Sequence, residues 1–95
     1  MKVLGKDKLL KFKKKYANSR TPIDKWLQIA NAAQWTSFKD VRRTFNSVDF
    51  VKGKLVFNIR GNNFRLIAIA MFQNGILKIT HVLTHSDYDK GKWRE

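Results

Sequence analysis

Apolar positions recur along this chain with two periods, a helical one in the first half and a strand-like one in the second. Between Lys6 and Ala17, Leu9, Phe12 and Tyr16 follow at steps of three and four, the spacing that brings side chains onto one helical face. Lys2 to Leu4 is short and apolar enough for a strand, which Gly5 ends. Ile23, Trp26, Leu27, Ala30 and Ala33 draw a second stripe that runs out near Gln34. Thr21 reads as the N-cap of this helix. Pro22 sits in the first turn, where its missing N–H costs nothing, and Asp24 lies near the positive end. Trp26 is expected in the core. Ser37 to Phe45 repeats the logic in short form: Ser37 as cap, Asp40 three positions on, and Phe38, Val41 and Phe45 facing one way, with Trp35 packed beneath the connection.

From Lys54 the period changes. Lys54 to Arg60 is partly alternating and rich in β-formers, and Gly61, Asn62 and Asn63 supply a turn before Phe64 to Phe72 resumes. Gln73, Asn74 and Gly75 make a second turn into Ile76 to Leu83, with Asn-Gly signalling a two-residue hairpin loop. The expected fold is α+β: a short N-terminal strand, then two to three helices packed on one face of an antiparallel sheet whose C-terminal strands form a meander. Direct pairing of residues 60 and 64 would put Arg60 and Arg65 on opposite faces. Leu66, Ala68 and Ala70 would face the helices. Arg65 would share the other face with Ile67, Ile69 and Met71, an apolar surface that calls for cover by the tail or a partner. Asp87 to Glu95 reads as an exposed tail with at most a helical turn.

Composition narrows the function. Ninety-five residues fit one domain, 1–95, with a shallow core. The absence of Cys excludes disulfides and thiolate chemistry and fits a reducing compartment, so cytoplasm is the expected location. No apolar run approaches a membrane span, and Met1 to Leu10 is charged where a secretion signal would be apolar. Neither a membrane partner nor a small-molecule cofactor is expected. Twenty Lys and Arg against seven acids leave a net charge of +13, and a polyanion is the natural partner. Glu95 is the single Glu, so acid–base work falls to His, Tyr, Lys or Asp.

His81 and His85 are four apart, but Val82 stands where a zinc-protease helix would carry its Glu, and no metal site is expected. There is no phosphate-binding glycine loop and no Gly-x-Ser-x-Gly elbow. What remains gathers near strand ends: Lys54, Asn58, Arg60, Asn62 and Arg65 around the first hairpin, Lys78 on the last strand, then His85, Asp87 and Tyr88. Cutting RNA without a metal needs a base for the ribose 2′-hydroxyl, cations for the charge on phosphoryl oxygens, and an acid for the leaving 5′-oxygen. His85, Tyr88 and Arg65 match those roles. The same residues also suit a non-catalytic RNA- or ribosome-binding module, or a structural protein that docks an acidic partner.

Val56-Phe57-Asn58-Ile59, Gly61-Asn62-Asn63-Phe64-Arg65-Leu66 and Thr84-His85-Ser86-Asp87-Tyr88-Asp89 together resemble the signatures of HigB-type host-inhibition toxins of the RelE superfamily. The resemblance spans nearly the whole chain. It implies a type II toxin–antitoxin toxin: a metal-independent mRNA endonuclease, usually acting on mRNA in the ribosome, neutralised by a cognate antitoxin and arresting growth by blocking translation. Carried over by position, it assigns Arg65 to phosphate and transition-state charge, His85 to proton transfer, and Tyr88 to orientation or assistance in proton transfer. By character and not by position in that pattern, Lys54, Arg60 and Lys78 are expected to position RNA through their charge, with Asn62 beside them. Some relatives in the superfamily use an interior Glu as base. This chain has none, which leaves the base open, with His85 the leading candidate.

Overall fold

A computed structural model describes residues 1–94. The chain opens with strand β1 (Lys2–Leu4) and turns at Gly5 into helix α1 (Lys6–Lys15). Gly5 adopts φ 86°, and a Cβ there would lie 2.6 Å from the Ile79 carbonyl oxygen, so only glycine lets the chain pass so close to the sheet. Helix α1 buries Leu9 and Phe12. It stops short of Ala17 because Tyr16 turns extended and packs its ring 4.6 Å from that of Phe12.

Helix α2 (Arg20–Ala32) buries Ile23, Trp26 and Ala30, as its periodicity requires. Its N-cap is Ser19 rather than Thr21, because a 3-10 turn over Ala17–Ser19 leads straight into the helix. Thr21 falls inside the first turn, and Ser19 directs its hydroxyl to the Tyr16 carbonyl instead of capping. The Met1 ammonium donates to the carbonyls of Ala30, Asn31 and Ala33, at the negative end of α2. Helix α3 (Phe38–Thr44) begins as anticipated, with the Ser37 hydroxyl accepting from the Asp40 amide. The Asp40 carboxylate accepts from the Thr36 amide and hydroxyl, which lowers its pKa from 3.8. Trp35 is buried beneath the connection and donates to the Thr44 hydroxyl.

Four more strands follow: β2 (Asp49–Val51), β3 (Lys54–Ile59), β4 (Phe64–Met71) and β5 (Ile76–Thr84). The sheet order is β1-β5-β4-β3-β2, with β1 parallel to β5 and every other pair antiparallel, so the expected C-terminal meander sits in a mixed sheet. Strand β2 is an addition to the predicted elements. It joins β3 through Lys52 and Gly53, both at positive φ (50° and 79°), the type of turn that matches strand twist.

Two registers differ from expectation. Ile59, not Arg60, pairs with Phe64, and Arg60 is left in a four-residue loop at φ 53°. At the next hairpin Met71 pairs with Ile76, and a 3-10 turn over Phe72–Asn74 followed by left-handed Gly75 replaces a two-residue loop. A third irregularity lies inside β5. Ile67 pairs with His81 but Ala68 with Ile79, which leaves Thr80 as an extra, bulged residue.

One face of the sheet packs Phe57, Leu66, Ala68, Leu77 and Ile79 against Leu9, Phe12, Ile23, Trp26, Ala30 and Val41 of the helices. The opposite face carries Val56 and Ile67, covered by Trp93 with Leu83 and Tyr88 alongside. The segment after β5 is therefore not an exposed tail. It forms helix α4 (His85–Asp89) and a 3-10 turn (Lys92–Arg94), and Trp93 keeps only 2% of its surface exposed. Glu95 lies outside the described residues. Among the described residues, no helix is long and apolar enough to cross a membrane.

Candidate active site

Strand alternation decides which side chains share the face beneath the C-terminal segment. Val56 and Ile67 mark that face, so Lys54 and Asn58 on β3 and Arg65 and Ile69 on β4 lie on it too. On β5 the partners of these β4 residues are Lys78, His81 and Leu83.

Arg65 is fixed in place. It is 8% exposed, and its guanidinium donates to the carbonyls of Asn62 (3.1 Å) and Phe64 (3.2 Å) and to the side-chain oxygen of Asn62. The guanidinium carbon sits 5.2 Å from the centre of the Tyr88 ring, within reach of the negative π face. Three of the five N–H donors that arginine carries are thus engaged, and the remaining two have no hydrogen-bond partner among the described residues.

Tyr88 is held from its other side. Its ring stacks on Trp93 at 5.0 Å with 13° between planes, and its carbonyl accepts from the Trp93 indole at 3.0 Å. His85 opens the same helix, three residues earlier, so the two lie on adjoining parts of one helical face. The start of that helix is secured by Thr84, whose hydroxyl accepts from the Asp87 amide, and by the His85 amide, which donates to the Asn63 carbonyl at 2.9 Å. The His85 ring is 42% exposed and places Nδ1 2.9 Å from the Asp89 carboxylate, which orients the imidazole. Asn62 grips Arg65 and Asn63 grips His85, so one hairpin loop mounts both groups.

The other anticipated residues divide. Asn62 is an exposed loop residue whose main part here is to hold Arg65. Arg60 is exposed in the same loop, beside the cluster. Lys54 donates to the Trp93 carbonyl at 2.9 Å and so tethers the covering turn to the sheet. Lys78 is exposed on the same face but stands five residues along β5 from Leu83, the partner of Arg65, about 16 Å away at strand rise. It is not part of the cluster.

His81 is the residue that sequence periodicity misplaces. Leu77, Ile79 and His81 alternate, which assigns all three to the helix face. The Thr80 bulge reverses the alternation and turns His81 to the Arg65 side. His81 lines a hollow of about 280 Å³ with Leu83, Asp87, Lys90, Lys92 and Trp93. Its pKa is lowered from 6.5 by burial first and by the charges of Lys54 and Lys8 second, so its neutral form is favoured. Trp93, Lys90 and Lys92 also escaped the sequence reading, because a polar, Gly-containing tail carries no periodic signal.

Residues 19–91 match the HigB_toxin family, the RelE-like toxic component of a toxin–antitoxin system. The three sequence blocks quoted above all fall within that span. An mRNA interferase HigB of Escherichia coli O6:H1 is 25% identical over 93 residues, which cover 95% of this chain and 90% of that protein. With a family match that takes in α2, α3, the meander and the Arg65–Tyr88 cluster, this chain belongs to the HigB toxin family.

Proposed function

We propose that residues 1–95 act as a single unit, the toxin of a type II toxin–antitoxin pair, which cleaves mRNA on translating ribosomes in the cytoplasm and is neutralised by a cognate antitoxin. The observation that carries the reading is Arg65, mostly buried, locked by three hydrogen bonds and facing Tyr88, with His85 on the same short helix. A buried guanidinium with spare donors is preorganised for charge that grows on a phosphoryl group, and that charge grows as the 2′-oxygen attacks. His85, oriented by Asp89, serves proton transfer. Tyr88 orients the guanidinium through its ring face. Arg60 and Lys54 draw the RNA backbone to the site.

The test is a map of mRNA 5′ ends after brief induction of the wild type and of Arg65→Ala, in translating and in translation-blocked cells. New ends in translating cells alone, absent with Arg65→Ala and suppressed by the antitoxin, are expected. Ends that persist after translation is blocked would remove the ribosome from the proposal. If induction leaves growth and mRNA unchanged, the cleavage reading fails and the chain is a polyanion-binding module.

A further inference from the structure

We propose that His81, not His85, is the acceptor of the ribose 2′-hydroxyl proton, acting from the hollow between β5 and the C-terminal turn. The proposal rests on the RNA-cleaving reading above and names the base that the sequence left open.

The hydrogen bonds around Thr80 set the tautomer of His81. Thr80 Oγ1 lies 3.2 Å from the Ile67 carbonyl, which only accepts, so the single hydroxyl proton points there. His81 Nδ1 lies 3.1 Å from the same Oγ1, which is left to accept, and Nδ1 must carry the ring proton. Nε2 then bears a lone pair, the form a base requires. The bulge that turns His81 outward therefore also supplies the group that selects its reactive nitrogen.

The surroundings favour the same assignment. Facing His81 are Lys54 of β3, Lys8 of α1, Asp87 and Lys90 of α4, and Lys92 of the terminal turn, with Lys78 further along its own strand. Asp87 is 3.5 Å from Lys90, so the balance at the hollow is cationic. Cations hold the imidazole neutral and attract the phosphate whose sugar must approach it. His81 is diagonal to Arg65 across β4 and β5, since Arg65 pairs with Leu83 and Ile67 with His81. A phosphate on the free donors of Arg65 would bring its neighbouring ribose toward Nε2. His85 differs in place: its Nδ1 is held 2.9 Å from the Asp89 carboxylate on its own helix, and its ring is 42% exposed.

In the step itself, Nε2 takes the 2′-hydroxyl proton and the 2′-oxygen bonds to phosphorus. The bond from phosphorus to the 5′-oxygen breaks, and that oxygen takes a proton handed on from water by His85. The products are a 2′,3′-cyclic phosphate and a 5′-hydroxyl end, and His81 returns its proton to solvent.

The experiment measures single-turnover cleavage of mRNA in a reconstituted translation system against pH. It uses the full chain, His81→Ala and His81→Gln, each checked for an unchanged melting curve at neutral pH. The wild-type rate should stay level as pH falls through 6.5 and decline only below it, because the base is neutral further into acid than a free imidazole. His81→Ala and His81→Gln should lose about 10²–10⁴-fold in rate at saturating substrate. Added imidazole should restore part of the His81→Ala rate and none of the His81→Gln rate, whose side chain fills the space. His81 variants that cleave near the wild-type rate, or an alanine variant that imidazole does not rescue, would overturn the assignment. A wild type that never cleaves removes the RNA-cleaving reading itself, which separates the two failures.

Discussion

Arg65 is valuable because it is immobile. A lysine at the same place keeps the charge but loses the planar fork that holds Asn62 and Phe64 while still offering donors outward. Arg65→Lys should therefore fold, with a stability loss of about 1–3 kcal/mol from a partly unsatisfied loop, and should lose about 10²–10³-fold in cleavage rate. Denaturant titration and single-turnover cleavage check the two parts separately. His81 makes a second prediction at this scale. Its native pKa lies below the value of 6.5 that it has when unfolded, so the unfolded chain takes up the proton first. Stability from this residue is constant above 6.5, falls as pH drops through that value, and levels off again below the native pKa. The chain with His81→Gln should show a shallower decline over that window when denaturation midpoints are compared. Single residues were partly legible from sequence. Arg65, His85 and Tyr88 stood out because charge, imidazole and phenol are chemically conspicuous, whereas the face occupied by His81 depends on a bulge that no residue type announces.

At the level of elements, the segment after β5 matters most. Trp93 seals Val56 and Ile67 on one side and stacks on Tyr88 on the other, so it joins the second core to the Arg65–Tyr88 cluster. Trp93→Ala should cost about 3–5 kcal/mol in denaturant unfolding. In conditions where the variant stays folded, its cleavage rate should also fall, because Tyr88 loses the surface that orients it under Arg65. A variant that loses stability but cleaves normally would show that the stack has no part in positioning. The sequence reading identified the helices well because their apolar stripes are long, and it placed Ser37 correctly because a cap followed by Asp40 is a local signal. It missed β2 and the burial of the terminal turn. A three-residue strand that leaves through Lys52-Gly53 lacks the usual turn dipeptide, and burial of Trp93 is a long-range contact with β3 and β4. The suspicion that the apolar face needed a cover was right in its physics, since Ile67 could not stay in water.

For the whole molecule, +13 on 95 residues means that RNA affinity is chiefly electrostatic. Lys8, Lys11 and Lys15 of α1 border a shallow groove with Phe12 and Val82, away from Arg65. Replacing Lys11 and Lys15 with Gln, and keeping Lys8 because its charge acts on His81, should weaken RNA binding and flatten its salt dependence, by about 1.4 in the slope of log affinity on log salt if each contacts a phosphate. The single-turnover rate at saturating RNA should be unchanged. Filter binding across a salt series, alongside cleavage assays, measures both. A fall in that rate would place the lysines in the chemistry instead.

Arg65 and His85 are borne by the same hairpin tip, one through Asn62 and the other through Asn63. Their alignment therefore has a shared point of failure. A protein that levers this tip aside, or one residue inserted into it, would extinguish both contributions together, and inhibition would be abrupt rather than graded. A toxin whose activity must vanish completely when its antidote arrives gains from being built that way.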